Sequence, residues 1–479
     1  DPGRPPGPAR LHLLAARHLV MNGGTELPLL QREEAYTLPI RVLQFGQGNF
    51  LRGFVDWQLD VLNERCDLDF GVAVVRPTSR STAALLDTQG GCYTTVLRGI
   101  DDQGALQTEV RQISCVQREL DLALHFADFL TLAHNPDIRF VVSNTTEAGI
   151  AVNTRDCYVD QPPQTFPAKL TRWLHERFIH FLGDPAKGLV LLPCELIEAN
   201  GPALRDAVLH YATLWQLGPE FQTWLAQSCH FFSTLVDRIV TGYPTDEIAQ
   251  LQTTLGYQDD FLVTGELYHY WAIEAPPWVA LELPLQRAGL NVQWVANLAP
   301  IRWRKVAILN GAHTLLAAVG LLAGLHTVGE AMQDPEIEGF LQAVLMEEII
   351  PALPFDEAGL QVYTEEVLRR FRNPYIQHPL QAIALNMASK CVTRLLPQIK
   401  TFAQANARFP QRLLLVLAAA MQRFEEPSDV LNSAVHGIQG LAEALEASRS
   451  TIETMGIRHA LLGNEVPARP MVVLYLPRC

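Results

Sequence analysis

Of the 479 residues, 48% are hydrophobic and 18% charged. That is a globular balance, not a disordered one, and the length predicts two or three domains, because a single core of this size is unusual. Lys and Arg number 37 against 51 Asp and Glu, a formal net charge of −14, which argues against nucleic acid as a partner, since neutralising phosphates needs a basic face.

Eight cysteines are spread so that the nearest pair, Cys92 and Cys115, lies 23 residues apart. There is no CxxC and no zinc-ligand spacing, so no metal is expected and a reducing cytoplasm is the natural setting. Membrane spans are not expected either. The apolar stretch 305–324 contains Lys305, Asn310 and His313, and the run Leu413–Met421 is too short. The first 20 residues have a weak signal-peptide look, interrupted by His12, Arg17 and His18, and Met21 reads as an alternative start. Residues 1–37 are expected to form a flexible lead.

The first regular element is IRVLQFG (40–46), an apolar run ending in glycine that reads as a buried strand. Phe50, Phe54, Trp57 and Val61 follow at helical spacing to about Glu64. FGVAVVR (70–76), DIRFVVSN (137–144) and GLVLLPC (188–194) repeat the strand pattern, with a helix predicted from Pro167 to about Leu182. Strands alternating with helices predict a parallel sheet with right-handed crossovers. YTTVLRG (93–99) and EVRQISCV (109–116) read instead as an antiparallel insertion. The character changes near 300. Helices are predicted over 305–323, 336–349, 358–371, 378–396, 409–423 and 437–454, and AGLNVQWVANLAP before them reads as a connector. The expected division is 38–294, 295–461 and an irregular tail 462–479.

QFGQGNFLRGF (44–54) sets Gly46-x-Gly48 between the first strand and the first helix. A dinucleotide pyrophosphate needs this order: a glycine for the tight turn, a second for close backbone approach, and free N–H groups at the helix start. Leu51 stands where a third glycine belongs in GxGxxG, so the motif alone serves chain reversal equally well. Gly46, Gly48, Asn49 and Phe50 are the candidate cofactor residues. The second strand ends in Arg76 and not in the acid that holds an NAD ribose. Arg76 suits a 2′-phosphate, which leaves NAD against NADP open, and reads equally as an exposed loop charge. Asn144 and Thr146, at the end of a later strand, are placed near the nicotinamide half or else serve as capping residues.

IRWRKVAILNGAHTLLAAVG (301–320) interrupts an apolar helix with Lys305, Asn310 and His313. In an unbroken helix they fall at roughly 0°, 140° and 80°, one broad side, with an axial rise of about 12 Å from Lys305 to His313. An amine beside Arg302 and Arg304 is disfavoured as ammonium, the route by which it becomes a usable base. An amide and an imidazole N–H hold a carbonyl or alkoxide oxygen. Singly, His313 reads as a core histidine and Lys305 as a surface residue with its head in water. Three polar groups together in an apolar helix ask for more.

QFGQGNFLRGFVDW, VSNTTEAGI, LPCELIEANG, STLVDRIVTGYP, WAIE, RKVAILNGAHT and RFRNPYIQHPLQAIALN occur in this order. Over roughly residues 38 to 425 the chain resembles the mannitol dehydrogenase family of polyol-specific long-chain dehydrogenases. The resemblance implies an α/β Rossmann-type N-terminal domain with a mostly α-helical C-terminal domain, a nicotinamide cofactor and no zinc. It implies Lys305 as general acid/base, Asn310 and Asn200 as polarising asparagines, and His313 as the family histidine. Glu195-Leu196 stands where the mannitol enzymes carry Asp-Asn, which argues against a plain polyol. The tail after about Met421 departs from the family pattern. The expected chemistry is reversible hydride transfer between NADH and the ketone of a five-keto hexonate, with other ketoses of the same kind, or NAD(H) sensing without chemistry, as rivals. A hexonate carboxylate needs a forked or point cation, for which Arg372, Lys390 and Arg238 are the candidates. The oligomeric state is not legible.

Overall fold

The computed structural model describes residues 27–32, 37–76, 86–145, 149–423 and 429–462. The cofactor candidate Thr146, the tail from 463 and most of the N-terminal lead lie outside them. The described part of that lead corrects the expectation of flexibility. Leu29 bridges Gln258, and the Arg32 guanidinium donates to the carbonyls of Gly90, Ser114 and Val116.

The chain divides into two compact units. One holds the residues up to Arg98 and Thr108–Leu298; the other holds Gly99–Gln107 and the residues from Ala299 onward. The second therefore begins at Ala299 and not at 295, and takes in the tip of a hairpin from the first half of the sequence.

In the first unit the strands are β1 (Ile40–Phe45), β2 (Gly71–Arg76), β3 (Tyr93–Ile100), β4 (Leu106–Ile113), β5 (Val116–Asp121), β6 (Phe140–Ser143) and β7 (Val190–Pro193). The shorter ones that follow are β8 (His230–Phe231), β9 (Thr234–Asp237), β10 (Val240–Gly242), β11 (Val263–Glu266), β12 (Tyr270–Glu274) and β13 (Val292–Val295). Among the described residues, six form a parallel sheet in the order β5-β2-β1-β6-β7-β8. Counted within the sheet this is 3-2-1-4-5-6, the doubly wound order, which reverses between β1 and β6. Val42 and Val72 face one core while Leu43 and Ala73 face the other. Both faces are covered, which is why these strands read as continuous apolar runs. The interruption at 93–113 joins a second sheet, β10-β11-β3-β4, and β13-β12-β9 make a third. The segment read as a connector thus contains a strand, β13, paired in parallel with β12.

The second unit is helical around one core. Its helix Ala299–Leu322 is, among the described residues, long and apolar enough to cross a membrane by length and composition, but it is mostly buried. Helices Pro335–Ala343, Glu357–Phe371, Gln411–Arg423 and Leu441–Met455 share that core with it. The single helix expected over 378–396 is broken. Leu380–Ile383 ends, Asn386 turns to φ +57°, and helix begins again at Met387. Asparagine is among the few residues that adopt this conformation readily.

Candidate active site

The glycine turn of the first unit has the shape its sequence asks for. Gly46 sits at φ +116°, its N–H donates to the Val75 carbonyl at 2.9 Å, and a Cβ there would lie 3.1 Å from the Asn144 carbonyl oxygen. Only glycine fits. Gly48 opens the helix that begins at Asn49, with no side chain capping its first N–H groups. A Cβ built on Gly48 meets nothing within 4 Å, so open space lies before uncapped amides. These features fit a pyrophosphate. The Asn49 side chain is held by Arg52 at 2.6 Å and the Phe50 ring stacks on Phe54, so both would serve such a ligand through their backbone. Leu51 lies beneath Gly46, its Cδ1 3.3 Å from where a Cβ would stand. The close packing that a third glycine provides occurs at Gly53, where a Cβ would lie 3.1 Å from Val240 and Val263. The spacing G-x-G-x4-G is the signal for this variant.

Arg76 is neither an exposed charge nor a hand held out to a phosphate. It is buried and pairs with the buried Glu119 at 3.3 Å. Gln47, the residue between the two glycines, joins them, its amide N–H donating to Glu119 at 2.7 Å and its oxygen accepting from Arg76 at 3.0 and 3.2 Å. The expected cofactor contact is corrected: the guanidinium charge is neutralised within the chain, and the pair fixes the glycine turn.

At the sheet's switch point, the Asn144 N–H donates to the Phe45 carbonyl at 3.2 Å and its side chain donates to Cys194 at 2.7 Å. This puts Asn144 beside Gly46, at the carboxyl ends where doubly wound sheets bind ligands. Buried Glu195 accepts from Ser143, from the Thr145 hydroxyl and from the Thr145 N–H at 3.0–3.1 Å. Burial pushes its carboxyl up from the usual range against those hydrogen bonds. Asn200 is fully buried. Its amide N–H groups face the carbonyls of Pro193, Glu195 and Thr234 at 3.0 Å, and its oxygen accepts the Thr234 N–H at 2.9 Å. Every polar atom is engaged, so Asn200 fastens β7 to β9 and is not available to hold a substrate oxygen. Arg238 is corrected for the same reason. It is buried, donates to the carbonyls of Gly53, Leu267 and Tyr268 at 2.8–3.0 Å, and stacks over Trp57.

In the second unit, the helix Ala299–Leu322 is not an unbroken α-helix. Residues Val306–Asn310 form a π-turn, with the Gly311 N–H reaching back to the Val306 carbonyl. Such turns hold one extra residue and recur at functional sites. Their effect on the polar residues follows by counting. With one residue absorbed, Asn310 stands where the fourth residue after Lys305 would, and His313 where the seventh would. Positions i, i+4 and i+7 share one narrow stripe. The broad side expected from the sequence is thus drawn into a line.

The surroundings suit the three groups. His313 is 8% exposed, stacks on Phe371 at 4.3 Å and meets His378 edge-on at 4.9 Å. Its Nε2 is buried without a hydrogen-bond partner, as is Nδ1 of His378. Burial foremost, with added repulsion from His378, Arg370, Arg394 and Lys305, holds the His313 pKa well below the ordinary imidazole value. The ring is neutral. Among the described residues no hydrogen bond engages the Asn310 side chain; its carbonyl accepts from Thr314 at 2.9 Å. Of the substrate candidates, Arg372 is corrected: it is more than a third exposed and tied to Glu338, 2.7 Å from its Nε. Lys390 donates to the Ile383 carbonyl at 2.6 Å, and its charge is felt by His378. The sequence reading passed over Arg370 and Arg394, the two arginines whose fields reach His313. Among the described residues no group of three His, Cys, Asp or Glu side chains is placed to hold a metal.

Two family models match, the mannitol dehydrogenase Rossmann domain over residues 40–287 and the mannitol dehydrogenase C-terminal domain over residues 297–465. The chain is 51% identical over 391 residues to the altronate oxidoreductase of Yersinia enterocolitica, covering 82% of this chain and 81% of that one. It is 52% identical over 381 residues to the altronate oxidoreductase of Pectobacterium carotovorum, covering 80% and 78%. Solved structures of the same fold include D-sorbitol dehydrogenase in substrate-free form, with a TM-score of 0.76 at 21% identity over 91% of this chain and 98% of that one. The mannitol 2-dehydrogenase of Pseudomonas fluorescens, in ternary complex with NAD and D-mannitol, gives 0.68 at 22% identity over 92% and 96%. The chain is an oxidoreductase acting on CH–OH groups. It belongs to the mannitol dehydrogenase family.

Proposed function

We propose that this chain interconverts tagaturonate and altronate with NAD as cofactor, without a metal, using Lys305 as general acid/base. The observation that carries the reading is the Lys305–Asn310–His313 stripe that the π-turn creates. The names of its relatives at 51–52% identity support the substrate class. The glycine turn supports a dinucleotide, with Gly46, Gly48 and the backbone of Asn49 and Phe50 holding the pyrophosphate and Asn144 beside them. Neutralisation of Arg76 by Glu119 removes the reason to favour NADP. Seven free thiols among the described cysteines support a reducing, cytoplasmic setting.

When bound, the nicotinamide supplies or takes the hydride. The residues of the chain handle the oxygen and its proton. Asn310 donates from its amide to the carbonyl oxygen. A neutral His313 with its proton on Nε2 donates a second hydrogen bond without giving up that proton. Proton delivery then falls to Lys305, as ammonium in reduction and as free amine in oxidation. Oxidation is therefore lost on the acid side, where Lys305 is protonated, and reduction on the alkaline side.

The test is a substrate panel at fixed NADH, followed by the loss of its near-ultraviolet absorbance. Tagaturonate is expected to be reduced with the highest kcat/KM, ahead of fructuronate and fructose. Preference for either of the latter sinks the substrate assignment, and NADH binding with no oxidation on any of them favours a sensor.

A further inference from the structure

We infer that Arg394 grips the carboxylate of the sugar acid and so sets the preference for acids over neutral ketoses; this rests on the reading of the Lys305 stripe as the place where the ketone reacts. Arg394 lies on a second π-turn, Cys391–Leu395, which packs against the π-turn Val306–Asn310. One guanidinium N–H donates to the buried Thr314 hydroxyl at 3.3 Å, and that hydroxyl donates to the Asn310 carbonyl at 2.9 Å. The side chain is thereby registered to the residue that holds the substrate oxygen. Among the described residues Arg394 makes no other hydrogen bond and no ion pair, which leaves four of its five N–H donors without a protein partner.

The guanidinium is half-buried, so its open N–H groups remain reachable by a ligand. Partial desolvation lowers its pKa, with only the Cys391 thiol opposing. The charged groups whose fields meet its own at His313 are the cations Arg370 and Lys305. A planar, forked cation in such a field matches a carboxylate bidentately, which a neutral sugar cannot reproduce.

The variants are Arg394→Gln and Arg394→Lys, with Arg372→Gln as the control on a surface arginine. For Arg394→Gln the KM for tagaturonate is expected to rise about 100-fold, as loss of hydrogen bonds to a charged group implies. The inhibition constant of altronate should rise by a similar factor. Most of the change should fall in KM and not in kcat, and Arg394→Lys, which keeps a point charge, should recover part of it. Arg372→Gln should change KM less than about twofold. Thermal midpoints confirm that each variant is folded. A wild type that prefers tagaturonate, with KM and altronate inhibition unmoved in both folded Arg394 variants, overturns the inference alone. A wild type that reduces neutral ketoses but not tagaturonate overturns the functional reading and the inference with it.

Discussion

Arg76 in the first unit is buried and Arg394 in the second is half-buried, and the protein treats them in opposite ways. Arg76 meets Glu119 at 3.3 Å, with Gln47 joining the two, and its charge is cancelled inside the chain. Arg394 has one neutral partner, Thr314, and no carboxylate among the described residues. The two asparagines assigned alike from the sequence divide the same way. Asn200 has every polar atom engaged by backbone, whereas the Asn310 amide has no partner among the described residues. A buried polar group satisfied by its own chain belongs to the frame. A half-buried one beside the reacting groups, its donors left open by the chain, is where a ligand can complete the set.

The contrast can be broken from either side. Glu119→Gln removes the carboxylate that meets buried Arg76, so denaturant unfolding should show a loss of about 3–5 kcal/mol, with weaker NADH binding as Gln47 loses its anchor. An unchanged unfolding midpoint would show that the pair is not part of the frame. Asn310→Ala should lower turnover by about 10²–10³-fold, as loss of an oxygen-holding donor does, while stability changes little. Asn200→Ala should do the reverse, costing about 3 kcal/mol of stability through its lost hydrogen bonds. If the two variants behave alike, the division between them fails.

A smaller effect sharpens the account of the first unit. Burial lifts Asp56 from 3.8 to about 7, against the pull of Tyr93 and Gln44. The Tyr93 hydroxyl lies 3.0 Å from both the Arg52 carbonyl and Asp56 Oδ2. The phenol donates to the carboxylate when Asp56 is ionised, and burial outweighs that pull. The folded state therefore holds an extra proton between pH 3.8 and about 7. Stability falls as pH rises through that window, by at most about 4 kcal/mol. Asp56→Asn should remove this slope, so the unfolding free energy of the variant relative to wild type should increase between pH 5 and pH 8. A constant difference would mean that the carboxyl is ionised throughout.

The sheet was readable because strands covered on both faces show as apolar runs: IRVLQF, GVAVVR, FVVS and VLLP each reappear as a strand. The strands between 230 and 295 were not readable. They are two to five residues long, too short for a period to emerge. Lys305, Asn310 and His313 stood out as polar residues in an apolar helix, but the π-turn that aligns them leaves no mark in composition. Arg372 was named as a candidate because sequence does not show that Glu338, 34 residues away, already holds it. Arg238 and Asn200 failed similarly, since their partners are main-chain carbonyls of other strands.

The central claim is that the amine at position 305 carries the proton, and turnover of Lys305→Ala with tagaturonate and NADH tests it most directly. Turnover should fall about 10²–10⁴-fold while NADH affinity stays near that of the wild type, and an added small primary amine should restore part of the rate. Near-normal turnover, with the same pH profile as the wild type, would contradict the account.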